Sequence, residues 1–87
     1  MKPSKKILNA IRRIQIAQMK LYENDNHKIS ISIACYYYSD IIDRDWYVYI
    51  HNKDNEDFRI WHFHEGLSKE EIENAFNEMY DFIGFVF

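Results

Sequence analysis

The sequence predicts an α+β domain of order αβββα, a three-stranded antiparallel meander with two helices packed on one face. Three observations predict it. Ile7, Ile11, Ile14 and Leu21 recur at helical spacing near the start. Ile29 to Tyr38 alternates strictly between two faces, as a half-buried strand does. Ser68 and Gly84 bracket a second helical stripe with a start signal and a stop signal.

The first helix is expected over residues 4–23, with Ser4 as N-cap and no acid three residues later, since Ile7 stands there. Leu8, Ala10 and Ala17 flank its apolar stripe. Lys6, Arg13 and Lys20 recur every seven residues on the opposite side, where Ile16 also falls. The polar run from Glu23 to Lys28 reads as a stop and a turn.

In the first strand Ile29, Ile31, Ile33, Cys35 and Tyr37 share one face, and Ser30, Ser32, Ala34, Tyr36 and Tyr38 share the other. Ser39 to Asp45 is a loop carrying Asp40, Asp43 and Asp45. The second strand, Trp46 to Asn52, is taken as the middle one. Trp46, Val48 and Ile50 point to the core, and Tyr47, Tyr49 and His51 point away. Lys53-Asp54-Asn55-Glu56 is a turn by composition.

The third strand is expected over Asp57 to His64, and its facing depends on that turn. A three-residue connection puts Phe58, Ile60 and His62 with Trp46, Val48 and Ile50. A two-residue connection puts Arg59, Trp61 and Phe63 there instead, because a one-residue slip swaps the faces. The first is preferred here because it keeps Arg59 in solvent.

The second helix has the clearest local signal. Ser68 and Glu71 make a capping box, and Leu67 and Ile72 are spaced for a hydrophobic staple. Ile72, Ala75, Phe76, Met79, Tyr80 and Ile83 form its buried stripe. Gly84 suits a left-handed cap, followed by the apolar tail Phe85-Val86-Phe87.

Composition bounds the function. With 87 residues the chain is read as one domain, residues 1–87. A chain of this size buries roughly 60–65% of its unfolded surface, so each large apolar residue matters. Apolar residues make up 47% and aromatics 17%, more aromatic than such a core needs. The single cysteine, Cys35, has no partner for an internal disulfide and suits a reducing compartment, so a cytoplasmic location is expected. No signal peptide and no membrane span are expected, since Ile7 to Leu21 is interrupted by Asn9, Arg12, Arg13 and Gln15. Residues 1–22 carry a charge of +6 and residues 23–87 a charge of −9. One end therefore suits an anion, and the rest suits a basic surface.

No catalytic constellation is expected. Cys35 lies on the predicted core face, where it reads as a small buried hydrophobe with no basic neighbour. His62 and His64 share a strand face, but His51 falls about 13 Å away by strand rise, so no metal site is expected. The two glycines, Gly66 and Gly84, build no phosphate loop. No cofactor is expected either.

The expected site is the uncovered face of the sheet. In the preferred register it carries Tyr36, Tyr38, Tyr47, Tyr49, Trp61 and Phe63, with Arg59 and His51 beside them. Aromatic sheet faces stack single-stranded nucleic acid, and the same residues are enriched in protein interfaces. Cations are sparse around this face, which favours a protein partner over nucleic acid. The alternatives are a nucleic-acid-binding domain using Lys6, Arg13 and Lys20 with the sheet tyrosines, and a homodimeric structural subunit.

The element order is that of double-stranded-RNA-binding domains. Their second helix opens with phosphate-gripping lysines, whereas this one opens Ser68-Lys69-Glu70-Glu71. In size, element order and acidic loops beside exposed aromatics, the chain resembles small αβββα proteins of phages and mobile elements, some anti-CRISPR proteins among them. That resemblance implies a stoichiometric inhibitor that occupies a nucleic-acid site on a host nuclease or other nucleic-acid-binding protein. Asp40, Asp43, Asp45, Asp54, Glu56 and Asp57 would then stand in for phosphates.

Overall fold

The computed structural model of the chain describes residues 3–25, 27–37, 44–54 and 56–84. Their order is α1 (Lys5–Glu23), β1 (Ile29–Tyr37), β2 (Arg44–Asn52), β3 (Asp57–Phe63) and α2 (Lys69–Ile83). The strands form an antiparallel sheet in the order β1-β2-β3. The αβββα order, the meander and the two helix caps are as the sequence predicts.

Both helices pack on one side of the sheet. Ile7 and Ile14 of α1, Val48 and Ile50 of β2, Phe63 of β3, and Phe76 and Met79 of α2 are all fully buried. Each such side chain contributes about 1.5–3 kcal/mol of transfer free energy. The Phe63 and Phe76 rings meet at 6.0 Å, joining the sheet to α2. Arg13 joins the helices to each other. It donates to Glu73 Oε1 at 2.9 Å and to the Tyr80 hydroxyl, and its guanidinium lies 4.0 Å above the Phe76 ring.

The ends of α2 follow the sequence closely. Ser68 Oγ accepts from the Glu71 N–H at 3.1 Å, and Glu71 Oε1 accepts from the Ser68 N–H at 3.2 Å, closing the capping box. Gly84 has φ 83°, and its N–H donates to the Tyr80 carbonyl at 2.8 Å. At α1 the cap acid comes from elsewhere in the chain. Ser4 Oγ accepts from the Ile7 N–H, while the Ser4 N–H donates to Glu65 Oε1 at 3.0 Å.

The β2–β3 register departs from the preferred one. Trp46 pairs with Phe63, Val48 with Trp61, and Ile50 with Arg59. Arg59, Trp61 and Phe63 therefore share the core side, and Phe58, Ile60 and His62 take the open side. The turn fits this register. Asn52 and Asp57 pair, leaving an even number of residues between them, and Glu56 adopts a left-handed φ of 54°. Asn52 is buried; its Oδ1 accepts from the Asp54 N–H at 3.2 Å, and its Nδ2 donates to the Phe82 carbonyl at 3.2 Å. That side chain holds the turn and the end of α2 together.

Arg59 still reaches solvent, because β3 is an edge strand; its guanidinium sits 5.4 Å from the Phe82 ring. Cys35 is exposed rather than buried, for the same reason at the other edge. Among the described residues no helix is long and apolar enough to cross a membrane.

Candidate functional site on the open sheet face

Strand alternation and register decide which side chains share the face opposite the helices. From β1 come Ser30, Ser32 and Ala34; from β2, Asp45, Tyr47, Tyr49 and His51; from β3, Phe58, Ile60 and His62. Phe58 is 54% exposed and Ile60 52%. Among the described residues no element crosses this face.

The face is divided lengthwise. On β2 and β3 the large side chains pair across the strands. Tyr47 and His62 stack at 4.6 Å with their planes 5° apart, and Tyr49 and Phe58 approach at 6.0 Å. His62 Nε2 also sits 3.1 Å from Asp45 Oδ1, and the His64 ring follows at 4.8 Å. On β1 the described side chains of this face, Ser30, Ser32 and Ala34, are small. A shallow depression of about 410 Å³ runs there between Ser30, Ser32, Tyr49, His51 and Phe58. The result is a ridge of rings beside a low strip.

The expected site residues fall as follows. Tyr47 and Tyr49 stand in the middle of the face as read from the sequence. Asp45 belongs to it through His62. The backbone of Tyr36 pairs with Asp45 in the sheet. Tyr38, Asp40 and Asp43 lie outside the described residues, as do Phe85, Val86 and Phe87.

Trp61 is a correction. It is 8% exposed on the core side, where its Nε1 donates to Glu78 Oε2 at 3.0 Å and its ring meets Phe82 edge-on at 5.9 Å. Phe63 and Arg59 move to that side with it. In their place the face gains Phe58 and Ile60, which the preferred register had assigned to the core. The sequence carries no signal for this exchange, because the turn composition suits either connection length and both phases of β3 are apolar.

The acids divide into two places. Asp54, Glu56 and Asp57 are exposed at the β2–β3 turn, with Asp54 Oδ2 3.5 Å from Lys28 Nζ. Asp45 is at the far end of the sheet. The basic residues of α1 do not join the face. Arg13 is committed to Glu73 and Tyr80, and Lys20 is exposed in the last turn of α1. Lys6 lies near Glu65. Burial pushes the Glu65 carboxyl up, but the hydrogen bonds from the Ser4 hydroxyl and N–H and the Lys6 charge outweigh it and hold the group below the ordinary glutamate range.

Among the described residues, no three of His, Cys, Asp and Glu are placed to hold a metal ion. A recess of about 310 Å³ between α1 and α2 is lined by Lys6, Asn9, Lys69 and Ile72, with Arg13 over its Phe76 floor. Ile16, Met19 and Tyr22 are exposed on α1. No family model, curated protein or solved structure matches the chain.

Proposed function

We propose that this chain is a non-catalytic protein-binding module whose contact surface is the open sheet face. One observation carries the reading. Phe58 and Ile60 stand more than half exposed beside Tyr47 and Tyr49, in the middle of a face on which the described residues place no lysine or arginine. Exposed rings with few charges are what the centre of a protein interface is made of. A contiguous apolar patch on a small domain is costly to leave in water.

A narrower form of the reading is an inhibitor, of phage or mobile-element type, that occupies the nucleic-acid site of a host protein. Its support is the exposed trio Asp54, Glu56 and Asp57 at one end of the same sheet. Direct nucleic-acid binding has less behind it. A backbone-tracking surface needs cations, the face presents none among its described residues, and Arg13 is already spent between the helices.

The test is a Tyr47→Ala/Tyr49→Ala double variant, compared with the wild-type chain for capture of partner proteins. A variant that keeps the wild-type circular dichroism and loses capture supports the reading. A folded variant that captures the same partners equally well overturns it. A salt-sensitive shift with a short oligonucleotide would favour the nucleic-acid alternative instead.

A further inference from the structure

We infer that the recess between α1 and α2 binds a small carboxylate with an apolar body, its head held by Lys6 and Lys69. Every residue that lines the recess belongs to one of the two helices, so it lies on the helix layer, away from the open sheet face. It stands independently of the reading of that face.

The helices place the two lysines together. Ser4, at the start of α1, is bonded to Glu65, just before α2 begins, and further on Arg13 lies over the Phe76 ring. The two helices therefore run in the same direction. Lys6 is seven residues before Arg13, and Lys69 is seven residues before Phe76. Both ammonium groups thus belong to the same end of the recess, and Arg13 closes the other end.

The space between them suits an apolar body. The recess encloses about 310 Å³, the lower end of the range for small-molecule pockets. Its floor is Ala10, Ile72 and Phe76, all buried. Seven residues of helix span roughly 10 Å, the length of a medium acyl chain. Lysine stems lie readily along apolar surface with the charge held outward, which puts the head of such a ligand at the rim.

Charge selects that head. Glu73 is bonded to Arg13 at 2.9 Å, Glu65 to the Ser4 N–H at 3.0 Å, and Glu71 to the Ser68 N–H at 3.2 Å. Glu70 is not part of the lining. Among the described residues, neither Lys6 nor Lys69 makes a hydrogen bond or an ion pair, although Lys6 lies near enough to Glu65 to lower its pKa. Arg13 and Glu73 neutralise each other, which leaves the recess with two cations, one of them partly offset. A single carboxylate balances that charge, and the Asn9 amide at the same rim supplies a neutral donor. The recess is open to water and the ligand is small, so the expected affinity is about millimolar.

NMR titration of the full chain with octanoate, 1-octanol and acetate tests this. Octanoate should saturate, with the largest amide shifts at Asn9, Ala10, Lys69 and Ile72. The alcohol lacks the head and acetate lacks the body, so each should bind at least about tenfold more weakly. Lys6→Met/Lys69→Met should weaken octanoate about tenfold and leave 1-octanol unchanged, with the amide spectrum outside the recess preserved.

Failure of octanoate to saturate by about 20 mM overturns the inference. So does 1-octanol binding as tightly as octanoate, or shifts centred on Tyr47 and Phe58 instead of the helices. A folded double-methionine variant that binds octanoate as the wild type does overturns it too. The wild-type comparison of the three probes decides the matter whatever the variant does.

Discussion

Ser4 and Glu65, 61 residues apart, close one helix end between them. The Ser4 N–H donates to Glu65 Oε1 at 3.0 Å, in the role that a glutamate three residues into the helix normally fills. The cap thereby becomes a tertiary contact, tying the start of α1 to the loop between β3 and α2.

Glu65→Gln should cost about 1 kcal/mol of stability at neutral pH, the usual value of a cap contact. The acid dependence has a definite sign. The folded-state carboxyl is held below its ordinary value, so its contribution is present at pH above the unfolded value and is lost as pH falls through the folded one. Urea denaturation of both proteins should show a gap that is widest near neutrality and closes in acid. A gap that widens in acid would contradict the contact.

Trp61 and Ile60 are sequence neighbours with opposite fates. Trp61→Ala should cost about 3–5 kcal/mol, a large share of the stability of a domain this small. Ile60→Ala, measured on dilute protein, should stay within about 0.5 kcal/mol. Similar losses at the two positions would mean that the strand faces have been assigned the wrong way round.

That pair also marks how far the sequence could be read. The helices, their caps and the alternation of β1 and β2 are local patterns, and each was legible from residues a few positions apart. The facing of β3 was not, because both of its phases are apolar: Phe58 and Ile60 on one, Trp61 and Phe63 on the other. The choice is made by contacts remote in sequence, namely Phe63 against Phe76, the Trp61 indole on Glu78, and Asn52 holding the turn to Phe82. Tyr47 and Tyr49 could thus be placed on the open face from sequence, while Trp61 could not. The exposure of Cys35 follows from its position on an edge strand that α1 leaves open there.

Asn52→Ala should cost about 2 kcal/mol, because it orphans the Asp54 N–H and the Phe82 carbonyl together. Chemical denaturation measures the loss. Hydrogen exchange should show it opening the β2–β3 turn and the end of α2 jointly. Opening of the turn alone would mean that the bond to Phe82 carries no weight.

Arg13→Ala should destabilise the fold by about 1–2 kcal/mol through the lost contacts with Glu73, Tyr80 and Phe76. It should leave oligonucleotide titrations at low salt as flat as those of the wild type. Strong low-salt binding that Arg13→Ala abolishes would return α1 to the nucleic-acid reading.

The open face exists because Trp61 turns inward and Ile60 outward, and cross-strand backbone NOEs test that most directly. Expected are contacts of Tyr47 with His62 and of Val48 with Trp61, matching the observed register. Contacts of Trp46 with His62 and of Val48 with Ile60 would turn Trp61 and Phe63 outward, bury Ile60 and Phe58, and remove the face on which the proposed binding depends.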